Sequence, residues 1–323
     1  MAVIRQDDFV QSIADAFQFI SYHHPVDFVR ALTEAYEREE SPAAKDAIAQ
    51  ILINSRMSAE GHRPVCQDTG IAVVFLKVGM GVQWDARASI QEMVNEGVRR
   101  AYTHPDNPLR ASVVADPDGK RTNTRDNTPA VVHVELVPGD TLEVKIAAKG
   151  GGSESKTRFT ILNPSDDLVA WVLEQVPTMG GDWCPPGILG VGVGGTPEKA
   201  MVMAKESLLA PVDIQALRAR GPKNRAEELR LELFDKVNAL GIGAQGLGGL
   251  STVLDVKVLD FPTHAVMKPV ALVPNCAATR HLEFRLDGSG PARFDPPSLE
   301  DWPKLALDVS AGARRVDLEH LTK

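Results

Sequence analysis

The chain has few cysteines, no block of basic residues and no long apolar run. Its 323 residues include only three cysteines, and this odd, sparse number argues against a disulfide scaffold and favours a reducing compartment. The 35 basic and 43 acidic residues give a net charge of −8. Without a Lys/Arg cluster, a nucleic-acid or anionic-membrane surface is disfavoured. An anionic substrate would then have to be attracted by local basic residues.

The sequence also shows no signal for membrane insertion or for protein targeting. No apolar stretch approaches the length of a membrane span, and the N-terminal sequence MAVIRQDD has neither a signal-peptide core nor an arginine-rich, acid-poor transit character. We therefore expect a cytoplasmic protein. A chain of this length can bury one large core or two intimately packed lobes. We treat residues 1–323 as one unit, with a tail at 290–323.

The hydrophobic periodicity predicts an α/β fold with mixed sheets flanked by helices. Apolar residues recur at helical spacing over residues 7–60, which predicts an N-terminal helical layer with Asp27 and Ser41 as caps. Further helices are expected at residues 85–102, 197–209 and 223–240. Strands are expected at residues 71–78, 130–136, 141–148, 250–258 and 266–274.

All three cysteines fall in predicted turns beside proline or glycine. Cys66, Cys184 and Cys276 are 118 and 92 residues apart (184 − 66 and 276 − 184), far wider than a local Cys-x-x-Cys site. If the fold brings them together, the backbone N–H groups beside them can donate hydrogen bonds to the sulfides of an iron–sulfur cluster. Three thiolates on a cubane would leave one iron without a protein ligand, and such an iron can act as a Lewis acid.

Five segments in order resemble the iron–sulfur part of class I fumarate hydratases. They are CQDTG at 66–70, KGGGS at 149–153, CPP at 184–186, GIGAQGLGG at 241–249 and PNCAATR at 274–280. The α subunits of L-tartrate dehydratases share them. The resemblance runs from about residue 1 to the end, and it implies a hydro-lyase with a [4Fe–4S] cluster held by Cys66, Cys184 and Cys276.

The resemblance also implies a set of substrate contacts. They are Gln67, Asp68, Arg110, Gly150, Gly151 and Gly152. Asp68 is in addition a candidate acid or base, although it could simply hold substrate. The segment LRAS at 109–112 resembles the family's carboxylate-binding arginine, and a guanidinium suits two-point contact with a carboxylate; a solvated polar loop is the alternative. Three consecutive glycines let a ligand approach the backbone and let amides converge on an anion.

The activity implied is the reversible hydration of fumarate to L-malate, with L-tartrate dehydration as the runner-up. Such an elimination needs abstraction of a carbon-bound proton and help for the departing hydroxide. Class I fumarases continue into a smaller second domain, fused or separate, and nothing after Cys276 resembles it. We therefore expect that the chain works with a second domain or subunit, with a junction near residues 313–318, and that it forms a homodimer.

The other interpretations rest on histidines and glycines. A structural zinc site with three cysteines and either His62 or His264 would make the chain a non-enzymatic interaction module. If the cysteines instead hold a cluster, His264 is the best candidate for a hydrogen-bond donor to the cluster or its ligands. The pair His23 and His24 could be ligands, but it precedes a proline and is interpreted as a solvated turn. The glycine-rich segments lack the spacing of nucleotide-binding motifs. A cluster-based sensor would need a basic DNA-reading helix, and none is evident.

Overall fold

Helices and strands alternate in the computed structural model, which describes residues 2–303 and 305. The helices are α1 (Gln6–Tyr22), α2 (Val26–Arg38), α3 (Pro42–Gly61), α4 (Ile90–Tyr102), α5 (Gly151–Glu154), α6 (Leu168–Met179), α7 (Pro197–Ser207), α8 (Ile214–Arg220) and α9 (Arg225–Ala239). The strands are β1 (Val3–Arg5), β2 (Ile71–Gly79), β3 (Gln83–Asp85), β4 (Val114–Ala115), β5 (Thr122–Asn123), β6 (Val131–Val137), β7 (Leu142–Lys149), β8 (Arg158–Leu162), β9 (Gly187–Gly194), β10 (Val253–Phe261), β11 (Lys268–Asn275) and β12 (His281–Leu286). The predicted α/β class with an N-terminal helical layer is confirmed.

The N-terminal helices form where the helical periodicity predicts them, but their caps differ from expectation. Asp27 is not a cap: Pro25 holds the N-cap position of α2, and the Asp27 carboxylate instead accepts a hydrogen bond from Val212 N at 2.5 Å. Ser41 does precede α3, yet its side chain makes no capping hydrogen bond. Helix α4 begins later than predicted, because residues 83–85 pair as a strand with β1 and Ser89 forms the capping box.

Two four-stranded mixed sheets carry most of the fold. The strand order is β12-β7-β2-β6 in the first sheet and β10-β9-β11-β8 in the second. In the first sheet β2 runs antiparallel to β7 and parallel to β6. In the second, β9 runs parallel to β10 and antiparallel to β11. The chain passes between the sheets through two short connections, residues 150–157 after β7 and residues 276–280 after β11.

Because of the directions in which the strands run, several connecting segments lie at one edge of each sheet. Ile71, the first residue of β2, pairs with Lys149, the last residue of β7. Asn275, at the end of β11, pairs with Ile188 near the start of β9. Because the two short connections leave from these same edges, the segment before β2, the segment before β9 and the segment after β11 lie close together.

A shared apolar cluster joins the two sheets. It contains buried side chains of β2 and β7, buried side chains of β9 and β11, and the inner faces of α2, α3 and α7. Helix α7 packs closely on β9: a Cβ on Gly192 would lie 2.0 Å from the Ala200 carbonyl oxygen. Among the described residues, no helix combines the length and apolar character that a membrane crossing requires.

The close contact between α7 and β9 gives a stability prediction. We expect Gly192→Ala to lower the free energy of unfolding by about 1–3 kcal/mol, because the added methyl overpacks a buried contact. Urea denaturation followed by circular dichroism measures the change. The control is Gly61→Ala, where the added methyl meets only the Arg63 side chain at 3.8 Å. Equal midpoints for the two variants would contradict the close packing.

Candidate active site

The three cysteine-containing turns meet at the sheet edges. Cys276 follows the last residue of β11, and Cys184 lies three residues before β9, so strand pairing places the two turns side by side. Ala277 N donates a hydrogen bond to the Cys184 carbonyl at 2.9 Å. Burial raises the pKa of the Cys184 thiol, and the nearby Cys276 and Cys66, together with Asp182, raise it further. Cys184 is therefore within electrostatic reach of both other thiols.

A fourth segment of the sequence closes around the Cys184 turn. Gln245 adopts a left-handed backbone conformation with φ 53° inside the GIGAQGLGG segment. Its backbone N and its side-chain Nε2 both donate to the Pro185 carbonyl at 2.7 Å. The glycines around Gln245 take positive φ values, as at Gly243 and Gly246, which only glycine adopts without strain. This explains why that segment accompanies the cysteine motifs.

The cysteine turns border a cleft of about 660 Å³. Its lining includes His24, Cys66, Gln67, Cys184, Gln245 and Ala277. Helix α3 forms another wall, and its Asn54 donates to the Val65 carbonyl at 2.8 Å, which ties the Cys66 turn to the helix. Cys66 and Cys276 are half-buried and Cys184 is exposed.

The donors that the three turns bring close together are thiols. Within the described residues, no three His, Cys, Asp or Glu side chains are close enough together to hold one metal ion, so a zinc site of three cysteines and a histidine is not formed there. Cys66 and Cys184 line the cleft and Cys276 lies within electrostatic reach of Cys184, and thiols are the soft donors that iron–sulfur clusters take.

Asp68 is fixed beside this cleft by backbone amides. One carboxylate oxygen accepts from Gly70 N at 2.9 Å and the other from Gly151 N at 2.7 Å. The Arg280 guanidinium donates to the Asp68 carbonyl and, at 3.2 Å, to the Ala148 carbonyl. The triple-glycine segment turns into the short helix α5, which the sequence does not predict, and its first amide is bound to Asp68.

The glycines next to Asp68 leave room that a side chain would fill. A Cβ on Gly150 would lie 3.2 Å from an Asp68 carboxylate oxygen, and one on Gly152 would lie 3.3 Å from the Asp182 carbonyl. Gly151 and Gly152 are exposed. The backbone of this segment is therefore open to a ligand at the point where it carries Asp68.

The Arg110 loop lies on the other side of Asp68. The Arg110 carbonyl accepts a hydrogen bond from the Thr69 hydroxyl. Buried Asn127 accepts from Ser112 N at 2.7 Å and donates to the Gly70 carbonyl at 2.9 Å. The backbone of the loop is thus fixed to the Asp68 turn, while the Arg110 side chain is exposed. Within the described residues that side chain makes no hydrogen bond or ion pair, so its guanidinium is available.

A sequence comparison places the chain among known proteins. The family described as fumarate hydratase (fumerase) matches residues 10–285. The chain belongs to this family.

Several relatives carry the name of an L(+)-tartrate dehydratase subunit alpha. One from Methanocaldococcus jannaschii, which bears that name provisionally, is 35% identical over 284 residues, covering 85% of this chain and 96% of that protein. One from Escherichia coli strain UTI89 is 31% identical over 279 residues, with 85% and 89% covered. The protein of strain K12 is 31% identical over 273 residues, with 83% and 87% covered.

Lys149 is a buried residue next to the site, and the sequence did not predict its role in this member of the fumarate hydratase family. Its side chain is 1% exposed, and its ammonium donates to the Pro274 carbonyl at 2.8 Å, to Asn275 Oδ1 at 2.9 Å and to the Ser153 hydroxyl at 3.3 Å. Burial lowers the pKa of Lys149 to about 8, although Glu154 and Cys276 raise it. Lys149 thus joins the end of β7 to the end of β11. The lysine before the glycines was visible, but nothing in the sequence indicated its burial.

The predictions about three histidines are wrong. His23 and His24 are 6% and 3% exposed and do not form a solvated turn, because α1 and α2 pack their junction against the site. His264 is not near the cysteine turns: it lies between β10 and β11, at the opposite end of the second sheet, and lines a separate pocket with Gly195 and Phe261.

Lys149 gives the prediction for this site. We expect Lys149→Met to lower the free energy of unfolding by roughly 3 kcal/mol, because the buried acceptors around the ammonium lose their donor. The control is Lys145→Met on the same strand, whose partly exposed ammonium pairs with Glu206 at 3.4 Å and should contribute less than about 1 kcal/mol. Chemical denaturation measures both. A loss for Lys149→Met no larger than for its control would show that the ammonium does not hold the sheets together.

Proposed function

We propose that this chain is the cluster-binding subunit of an iron–sulfur hydro-lyase. Cys66, Cys184 and Cys276 would hold a [4Fe–4S] cluster, and the observation that supports this best is that Cys66 and Cys276 both lie within electrostatic reach of Cys184. When bound, such a cluster supplies a Lewis-acidic iron that has no protein ligand. Membership of the fumarate hydratase family supports the same class of reaction.

The remaining residues would bind and orient the substrate. Asp68 is proposed as the acid or base, because two backbone amides fix its carboxylate where the cleft and the glycine segment meet. Gln67 is exposed on the cleft wall and can donate or accept a hydrogen bond. Gly150 to Gly152 would let a carboxylate approach the backbone, and Arg110 would pair with a carboxylate through its guanidinium fork.

The proposed substrate is a 2-hydroxy dicarboxylate. Reversible hydration of fumarate to L-malate is the first candidate, which the family description supports. Dehydration of L-tartrate is the second, which the names of the relatives support. L-malate and L-tartrate differ in composition by one hydroxyl oxygen, so the same metal and acid–base chemistry would serve the elimination of water from either.

A second subunit is part of the proposal. The relatives are named as alpha subunits, and a dicarboxylate bound by Arg110 alone would leave one carboxylate poorly paired, with a large loss of rate. We propose that a partner supplies the missing cationic and hydroxyl groups, and that the cytoplasmic assembly contains two copies of this chain. The predicted junction at 313–318 lies outside the described residues, as does most of the tail at 290–323.

Anaerobic reconstitution tests this proposal. We expect about four iron per chain and brown absorbance near 400 nm, and we expect turnover once a separately produced second subunit is added. Cys66→Ser, Cys184→Ser and Cys276→Ser should each remove cluster and turnover, since each would remove one of three ligands. Assays with fumarate, L-malate and the tartrates identify the substrate.

Three results would count against parts of this proposal. A colourless protein that contains one zinc ion per chain would contradict the proposed iron–sulfur cluster. A single cysteine variant with full cluster and normal turnover would remove that residue from the ligand set. Full turnover by the isolated chain would overturn the need for a second subunit, and a clear preference for L-tartrate would select the second candidate substrate.

Arg110→Lys tests the carboxylate contact. The substitution retains the charge but loses the two-pronged donor, so we expect apparent substrate binding to weaken by about 1–3 kcal/mol, measured as KM in the complemented enzyme. The matched control is Arg125→Lys, an exposed arginine of the same connection between α4 and β6, which should leave KM unchanged. Equal effects of the two substitutions would reduce Arg110 to a loop residue.

A further inference from the structure

Strand β6 forms an open edge of the first sheet, and its sequence lacks the residues that usually protect such an edge. The strand order places β6 outermost, and within the described residues β2 is its one strand partner. Its seven residues, VVHVELV, contain no lysine, proline or glycine and pair with β2 in one continuous register. Natural proteins shield an exposed edge strand with such residues, with bulges or with a covering element, because its free backbone groups invite another strand.

The backbone groups of β6 that point away from β2 follow from one hydrogen bond. Met80, the residue after β2, donates its N–H to the Val137 carbonyl at 2.8 Å. The N–H and C=O of a strand residue point to the same side, and successive residues alternate, so the odd-numbered residues of β6 face β2. The N–H and C=O groups of Val132, Val134 and Leu136 therefore face outward, and in the described part of the chain they have no hydrogen-bond partner.

The side chains on one face of β6 are apolar and only partly covered. Val134 and Leu136 are 50% and 65% exposed. They pair with Leu76 and Val78 of β2, which are buried in the apolar cluster that contains the inner faces of α1 and α4. Since paired residues point to the same face of a sheet, this apolar layer continues past the helices to the open edge. Free backbone groups beside apolar side chains are the features by which one strand adds to another.

We propose that two copies of the chain pair antiparallel through β6, about a twofold axis at Val134, and so join their first sheets into one. In this arrangement Val134 lies opposite its own counterpart and Val132 lies opposite Leu136, so each outward N–H meets an outward carbonyl. On the other face of the sheet, the Glu135 carboxylate lies opposite the His133 imidazole, which can donate a hydrogen bond to it.

The sequence of β6 favours this axis over its neighbours. An axis at Glu135 would place two carboxylates directly opposite each other, which is unfavourable. An axis at Leu136 would bring in Pro138, which has no N–H to donate. An axis at His133 would align Leu136 with Ala130, whose N–H and carbonyl are already bonded within the chain. The match of the strand to itself is the reason to assign the edge to a second copy.

This inference rests on one part of the proposed function, the assembly with two copies of this chain, and gives that assembly a surface. It requires neither the cluster nor the substrate. The experiments below measure association alone, so this inference can fail while the proposed reaction stands, and the reaction can fail while this inference stands.

Dimer dissociation is measured on the full chain by sedimentation velocity over a dilution series. We expect a wild-type dimer, and we expect Val134→Lys to raise the dissociation constant about tenfold or more, because two like charges then meet at the axis. Leu136→Lys, at a position that is 65% exposed, is the second variant and should act in the same direction. Far-UV circular dichroism checks that both variants fold. The matched control is Ile161→Lys on β8, the outermost strand of the second sheet, which is also 50% exposed and should leave the constant unchanged.

Hydrogen exchange tests the pairing itself. In the wild-type dimer we expect the amides of Val132, Val134 and Leu136 to be protected, and to lose protection on dilution and in Val134→Lys, while the amides that face β2 stay protected. A monomeric wild-type chain would overturn the proposal, as would a dimer in which these outward amides exchange freely. A dimer that Ile161→Lys disrupts and Val134→Lys does not would also overturn it.

Discussion

The candidate site depends on how the two sheets are joined. Residues 276–280 connect β11 of the second sheet to β12 of the first in only five residues, so the edges of the two sheets cannot separate. This constraint places Cys276 beside Cys184 from the second sheet and beside the Cys66–Asp68 turn from the first. Strand pairing fixes each edge internally, and the short connection fixes one edge to the other.

Two cationic side chains, Lys149 and Arg280, donate hydrogen bonds to backbone carbonyls and so complete the junction between the two sheets. Buried carbonyl groups need a hydrogen-bond donor. Lys149 donates to the Pro274 carbonyl, and Arg280 donates to the carbonyls of Asp68 and Ala148. Each side chain therefore binds acceptors on a chain segment remote from its own, which an apolar residue could not do.

The sequence was most informative where local chemistry dictates structure. Periodicity predicted the helical layer and the strands that carry the site, and proline and glycine beside Cys66, Cys184 and Cys276 predicted turns. Long-range placement could not be predicted. His264 follows a strand that leads away from the site, and His23 and His24 are covered by elements whose packing depends on the whole fold. Likewise, no local pattern reveals that the ammonium of Lys149 is buried, because its acceptors on Pro274 and Asn275 lie more than a hundred residues away along the chain.

Dividing the site between two sheets has a chemical consequence. Cys184 and Cys276 are held at the edge of the second sheet, whereas Asp68 is held at the edge of the first by Gly70, Gly151 and Arg280. The distance between the thiols and the carboxylate is therefore set by the junction and not by any single loop. An elimination needs its proton-accepting group and its Lewis acid on opposite parts of one small substrate, with little tolerance in their separation. Under the proposed function, the buried, hydrogen-bonded junction would supply that fixed separation, while the exposed Arg110 and the open glycine backbone would accommodate the substrate.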